Sequence, residues 1–364
     1  MMKPAKDQQR RYRSGHSRIY SRTIRTALLS FLGVIAFSVL NSIASPPPTM
    51  PSRSSRASSK VKEPPAISDR TSAQYAAAIS ASDRQIRLVW SPSFEWNDDS
   101  AERQRWTLAQ ELLFRVTSSS RLLTRYEHSM FRKRGISPIN DDAIGLGWQQ
   151  TLGGVHLIQT EMASHIFSSP AETMWSWRAK AHSNWTSKAW TNVEVGRKPS
   201  DTAQALGAGI ETNFVDASGR WELSSGWSGR LRGCLELISD HNHTMTTELE
   251  VARRVPNIDG LRAVYLWTTA NAAERRDDYY TPHRVRLHQL GGDLTLAGKR
   301  WWLWGRYLFG FGEELGSNNW DVHAVDFTFS VPLLGPLTIE PALSWSQSPT
   351  YHSTTYRFLA HLEF

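Results

Sequence analysis

Few residues in this chain stand at spacings that chemistry requires. His241-Asn242-His243 sets two imidazoles two positions apart. Too few further ligand types accompany them, so the pair reads as a solvated loop tip rather than a metal site. Asp98-Asp99 and Asp141-Asp142 have the chemistry to attract a divalent ion. A calcium site needs many more oxygens, so both read as solvated loop acids. No GxSxG elbow, HExxH helix, phosphate-binding glycine loop or CxxC pair occurs. Ser and His are too plentiful to nominate a nucleophile. The expectation is no enzyme activity, no metal and no cofactor. Cys234 is the single cysteine, so no internal disulfide exists, and it reads as a buried small side chain. What remains is a set of charges inside otherwise apolar segments: Arg87, Glu95, Glu111, Arg115, Arg262, Arg286, His288, Arg306, Glu340 and Arg357. Charges so spaced suit a wetted wall that acts on a solute through local field and hydrogen bonding.

The segments that carry them alternate with period two. Ile86, Leu88, Trp90, Pro92, Phe94 and Trp96 share one phase, and Arg87, Ser91, Ser93, Glu95 and Asn97 share the other. Successive strand side chains point to opposite faces, so each such segment is a strand with one apolar and one polar face. The pattern recurs throughout, including Trp106–Val116, Leu261–Trp267, Trp301–Phe311 and Leu337–Trp345. Fifteen polar or turn-forming breaks separate sixteen strands, with a range of 14–18. Four breaks are placed at Lys133–Asp141, Arg197–Thr202, Val215–Ser218 and Asn271–Pro282. Gly226–Gly229 is a further possible turn. The odd phase of Trp221, Leu223, Trp227, Leu231, Leu235 and Leu237 runs through it, so Arg220–Ser239 reads as one long strand.

The net charge of +8 belongs to a leader. Residues 1–25 carry eight basic side chains against the single acid Asp7, and the rest of the chain is close to neutral. A basic nucleic-acid surface is therefore not indicated. Ala27–Leu40 is apolar, and Ser42-Ile43-Ala44 offers small residues for cleavage. Residues 1–44 read as a signal peptide with a long basic start. The competing reading is an uncleaved anchor. Residues 45–82 are rich in Pro and Ser and read as a disordered periplasmic linker, ahead of a β-domain over 83–364.

Alternation alone is also compatible with a soluble β-sandwich, which would bind glycans. Three features favour a closed antiparallel transmembrane barrel. Many of the sixteen tryptophans sit near strand ends, as in interfacial girdles. Charges occupy mid-strand positions on the other face, which is costly in a dry core and tolerable in a wet lumen. Finally, Tyr356, Phe358, Ala360, Leu362 and Phe364 alternate up to the last residue. That strand resembles the C-terminal targeting strand of bacterial outer-membrane proteins. The resemblance implies recognition by the barrel-assembly machinery and residence in the outer membrane, against lipid and lipopolysaccharide.

One segment, Asn271–Pro282, runs through Asp277, Asp278, Tyr279, Tyr280 and Pro282 into a basic strand. It resembles a late barrel segment of bacterial exopolysaccharide-export porins, such as those for cellulose and poly-N-acetylglucosamine. A Pro-terminated surface loop is the plain reading of the same residues, with Pro282 opening the next strand. The resemblance implies passive export of a polar solute such as a polysaccharide. It departs from that family in lacking the long helical repeats that precede the barrel, so a separate periplasmic adaptor would be needed. The alternative from another class is an outer-membrane lipase or deacylase with an active site on the rim.

Overall fold

The computed structural model describes residues 88–364 apart from 101–102, 154, 169–172, 224–225, 275, 277–280, 315–319, 334 and 349–351. Arg87 and the leader and linker segments lie outside the described residues.

Sixteen antiparallel strands form a single closed ring in which each strand pairs with its neighbours in sequence. They are β1 (Leu88–Asp99), β2 (Arg103–Arg115), β3 (Ser120–Lys133), β4 (Ile136–Leu152), β5 (His156–Phe167), β6 (Met174–Thr186), β7 (Ala189–Pro199) and β8 (Glu211–Glu222). The second half comprises β9 (Trp227–Ile238), β10 (His243–Arg254), β11 (Leu261–Ala272), β12 (Val285–Ala297), β13 (Trp302–Glu313), β14 (Trp320–Pro332), β15 (Leu337–Gln347) and β16 (His352–Glu363). β1 closes on β16, with Glu95 opposite Arg357. Leu88 and Phe364 exchange both backbone hydrogen bonds at one end of that seam. Closure leaves no strand edge, which excludes the two stacked sheets of a sandwich.

The register sorts side chains into two phases. One phase carries large exposed apolar groups, including Ile144, Leu146, Met162, Leu231, Leu290, Tyr307, Phe309 and Tyr356; Leu146 is 61% exposed. The other phase carries most of the ion pairs and most buried polar groups. An outward apolar belt around a closed ring is the arrangement that hydrocarbon requires. Aromatic rings flank the belt. Trp96 stacks on Tyr356 at 5.5 Å, and Trp106 meets His128 at 5.0 Å. The tryptophan pattern is not uniform. Trp304 falls on the inward phase, 4% exposed beneath the Arg306 guanidinium, and Trp190 lies inward beside His182.

Several breaks differ from the sequence expectation. Lys133–Asp141 is not a loop: Arg134-Gly135 turns within two residues, with Gly135 at φ +80, and β4 starts at Ile136. The register shifts between Phe131 and Lys133, opposite Ser137-Pro138. That bulge accommodates a proline within a paired strand. Val215–Ser218 lies within β8, and Arg220–Ser239 is two strands, β8 and β9, with a turn around Gly226 at φ +79. Phase survives this turn because the side chains on either side of it face the same lipid. In compensation, the break at Arg197–Thr202 extends to Ile210 and holds a short helix, α1 (Ala203–Gly207), where a strand was expected. The count of sixteen stands because one misplaced turn replaces another.

The two longest connections, 200–210 and 273–284, both follow odd-numbered strands and so share one end of the barrel. Longer loops mark the extracellular end. Pro282 lies in the second of these connections, before β12 begins at Val285, and its carbonyl accepts from the Ala272 amide. Gly310 marks a close approach of β13 to β12, since a Cβ there would lie 1.8 Å from the His288 carbonyl oxygen.

Replacing Leu146 by Arg puts a charge in the middle of the belt. The expected cost is about 2–4 kcal/mol, read by reversible urea unfolding in phospholipid vesicles; no change would contradict a lipid-facing Leu146.

Candidate functional site

The inward phase gathers the charged side chains that an apolar belt cannot hold. Register places Glu95, Glu111, Arg115, Arg262, Arg306, Glu340 and Arg357 on this face. Arg286 and His288 are corrections: they share the outward phase of exposed Leu290. Arg286 pairs with Glu313 at 3.2 Å near the extracellular end, and His288 stacks on Phe311 and bonds the Tyr265 hydroxyl at 2.9 Å. The lipid face of β12 is set by Leu290, Leu294 and Leu296, while Val285 and Leu287 take the inward phase. Strand phase alone, read from the sequence, puts the two residues inward.

The inward charges pair around much of the wall. Arg125 bonds Glu127, which also meets Arg105 at 3.5 Å. Arg125 further reaches Glu161 at 4.0 Å, across the intervening strand β4. Gly145 makes that crossing possible, because a Cβ on it would lie 2.9 Å from Glu161 Oε1. Glu161 accepts from Arg178 Nε at 2.7 Å. Lys180 faces Glu194 at 3.8 Å. Arg232 donates through Nε to both Asp216 oxygens, at 3.2 and 3.0 Å, and meets Glu248 at 3.5 Å. Arg262 forks onto Asp293 at 2.8 and 2.6 Å, and Arg306 bridges Glu250 at 2.8 Å and Asp293 at 3.4 Å. Bidentate and bridged pairs of this kind are the strong ones, provided each partner stays in place. Cys234, on the same face opposite Asp216, is half-buried rather than buried.

The connection between β7 and β8 folds into this lumen at the extracellular end. Thr202 caps α1 by accepting from the Ala205 amide at 3.3 Å. Leu206 and Ala203 pack on Phe131 and Ile139, inward residues of β3 and β4, with Ile136 and Phe167 against them. Lys133 donates to the Gln204 side-chain oxygen at 2.9 Å. The segment thus bears on strands that do not neighbour its own stems. Two cavities lie beside it, of about 300 and 340 Å³, and both are bordered by Arg105, Phe131 and Asp201.

The remaining expected features are elsewhere. Asp98 and Asp99 belong to β1, where Asp99 accepts from the Arg103 amide at 3.1 Å, and Asp141 and Asp142 belong to β4, so neither pair is a loop. Asp142 is outward and accepts from the Tyr126 hydroxyl at 2.8 Å. His241 sits in a tight turn at φ +70, and among the described residues no group of His, Cys and acids is arranged to hold a metal. Asp277, Asp278, Tyr279 and Tyr280 lie outside the described residues. Tyr356, Phe358, Ala360 and Leu362 take the outward phase of β16, and Phe364 follows them, 55% exposed.

No protein-family model and no curated protein matches this sequence. Among solved structures the chain is similar to a bacterial polysaccharide outer membrane secretin, with 14% identity and a TM-score of 0.64 over 78% of this chain and 100% of that one. It also aligns with CdiB from Acinetobacter baumannii, at 7% identity and a TM-score of 0.47 over 77% of this chain and 60% of that one. A third is OccK7 from Pseudomonas aeruginosa, at 10% identity and a TM-score of 0.41 over 76% of this chain and 97% of that one. The first likeness is one of fold, that of an outer-membrane β-barrel, and the apolar belt agrees with residence in the outer membrane.

Replacing Arg306 by Met leaves Glu250 and Asp293 without their shared cation. The expected loss is roughly 3–5 kcal/mol, measured by denaturant unfolding in detergent or vesicles; an unchanged midpoint would show the bridge to be idle.

Proposed function

We propose that this chain is a porin-like channel of the outer membrane, and that its work is passive translocation of a polar, largely uncharged solute such as an exopolysaccharide. The observation that carries the reading is the inward wall of paired charges inside an apolar ring. Such a wall offers donors and acceptors around its circumference while its opposed signs cancel at short range. A neutral hydroxylated chain can exchange hydrogen bonds along it, whereas a free ion gains little from either sign. The fold likeness to a polysaccharide secretin supports the same solute class. In this reading β16 is recognised by the barrel-assembly machinery through its outward alternation, the belt contacts lipid and lipopolysaccharide, and a separate periplasmic adaptor delivers the polymer. The channel itself needs no cofactor.

Planar-bilayer recording of the refolded barrel checks this directly. The expected result is a stable conductance with a reversal potential near zero in a salt gradient; a sealed barrel, or a strongly charge-selective one, would overturn it. The α1 connection narrows the extracellular mouth in this scheme. Replacing 201–209 by a short Gly-Ser link should raise single-channel conductance severalfold, and an unchanged conductance would place the constriction elsewhere.

A further inference from the structure

The lumen holds a charge-relay arrangement that the ion-pair wall does not use. Asp141 on β4, His165 on β5 and Ser176 on β6 lie on one diagonal of the inward face. Register sets Ala143 opposite His165 and Ala163 opposite Ser176, so each member is two residues from its neighbour's direct partner. Diagonal neighbours of this kind are within reach of a long side chain such as His. His165 Nδ1 lies 2.8 Å from Asp141 Oδ2, and His165 Nε2 lies 2.8 Å from Ser176 Oγ. An ionised carboxylate only accepts, so Nδ1 carries the hydrogen and Nε2 of the neutral ring is left to accept from the serine hydroxyl. Phe167 stacks on the imidazole at 6.0 Å and 11°, fixing its plane. Asp141 is 4% exposed, and its Oδ1 is buried without a hydrogen bond from any described residue. His128 shows the contrast: it meets Asp142 through Nδ1, but its ring faces Trp106 rather than a hydroxyl.

We propose that Ser176, His165 and Asp141 form a nucleophilic site that hydrolyses O-acyl esters on a polar chain inside the lumen. Nucleophile, base and orienting acid are recognised by geometry and role, not by fold or order in the chain. All three border the cavity of about 300 Å³ beside the inward-folded connection, which has room for a small acyl group. Ser176 Oγ attacks the ester carbonyl while His165 Nε2 takes its proton. The carbon–oxygen bond to the sugar then breaks, and the departing oxygen takes that proton from His165. Water, deprotonated by His165, then attacks the acyl carbon; the bond to Ser176 Oγ breaks, Oγ takes the proton back from His165, and a carboxylic acid is released. Sheet amides are committed to neighbouring strands, so the oxyanion falls to cations that border the cavity and also hold a carboxylate: Arg178, two residues from Ser176 on the same face and paired with Glu161, and Lys198, 3.0 Å from Glu236. Ser176 and His165 are the catalytic residues, and Asp141 is a positioning residue. The site stands beside the channel reading rather than on it, since ester cleavage in detergent needs no translocation.

The test uses the full-length barrel in detergent, with folding verified by heat-modifiable migration. A fluorophosphonate should label the Ser176 peptide, as identified by mass spectrometry. Hydrolysis of p-nitrophenyl acetate should fall about 100-fold or more in both Ser176→Ala and His165→Gln. Asp141→Asn should lower kcat with KM unchanged. A folded wild-type barrel that takes no label and cleaves the ester no faster than the folded variants would overturn the proposal. So would variants that lose stability while hydrolysis is unaltered. Because His165→Gln and Ser176→Ala touch different strands, misfolding of one leaves the other to decide.

Discussion

Lipid offers a peptide group no hydrogen-bond partner, and this constraint shapes everything else in the molecule. An unsatisfied backbone group in hydrocarbon costs several kcal/mol, so strands can cross only if each is paired on both sides. Sixteen strands meet that demand by closing β1 onto β16. Once the ring is closed, the pleat divides every strand into an outward and an inward phase. Leu146, Leu290 and Phe309 go to lipid; Arg232, Arg262 and Arg306 go to the lumen. Inward charges are stabilised by pairing, and Arg232, Arg262 and Arg306 are found in pairs. The lumen chemistry is therefore a consequence of the membrane solution, not a feature added to it.

Pairing also needs room. β4 contributes two inward glycines, Gly145 and Gly147, where its neighbours contribute charges. The gap lets a β3 arginine reach a β5 glutamate. At the extracellular end of the same strand, Ile139 supports α1 and Asp141 orients His165. One strand thus serves spacing, support and orientation in turn, according to the height at which each residue sits.

The architecture was legible because period two is a local property. Leu88 to Trp96 or Tyr356 to Phe364 declare their faces without reference to any partner. What was not legible depends on register, which is non-local. Asp141, His165 and Ser176 are scattered by sequence, and only the β4–β5–β6 offsets bring them onto one diagonal. Polar Asn140-Asp141-Asp142 also resembles a loop, because the bulge that admits Pro138 is set by the opposing strand. Phase alone puts Arg286 and His288 inward, yet Val285 and Leu287 are the inward residues here, and at the headgroup level a paired arginine and a stacked histidine are stable outward. The helix α1 falls where a strand is expected, because what holds it is Leu206 and Ala203 packing on Phe131 and Ile139 of distant strands.

α1 springs from β7 and β8 but bears on β3 and β4, so it spans a chord of the ring. A hoop braced along one chord keeps its outline there and yields on the opposite arc. Fluctuations in the barrel's cross-section should therefore gather in β11–β16, where the described residues provide no such strut, and the stiff half is the one that carries Ser176.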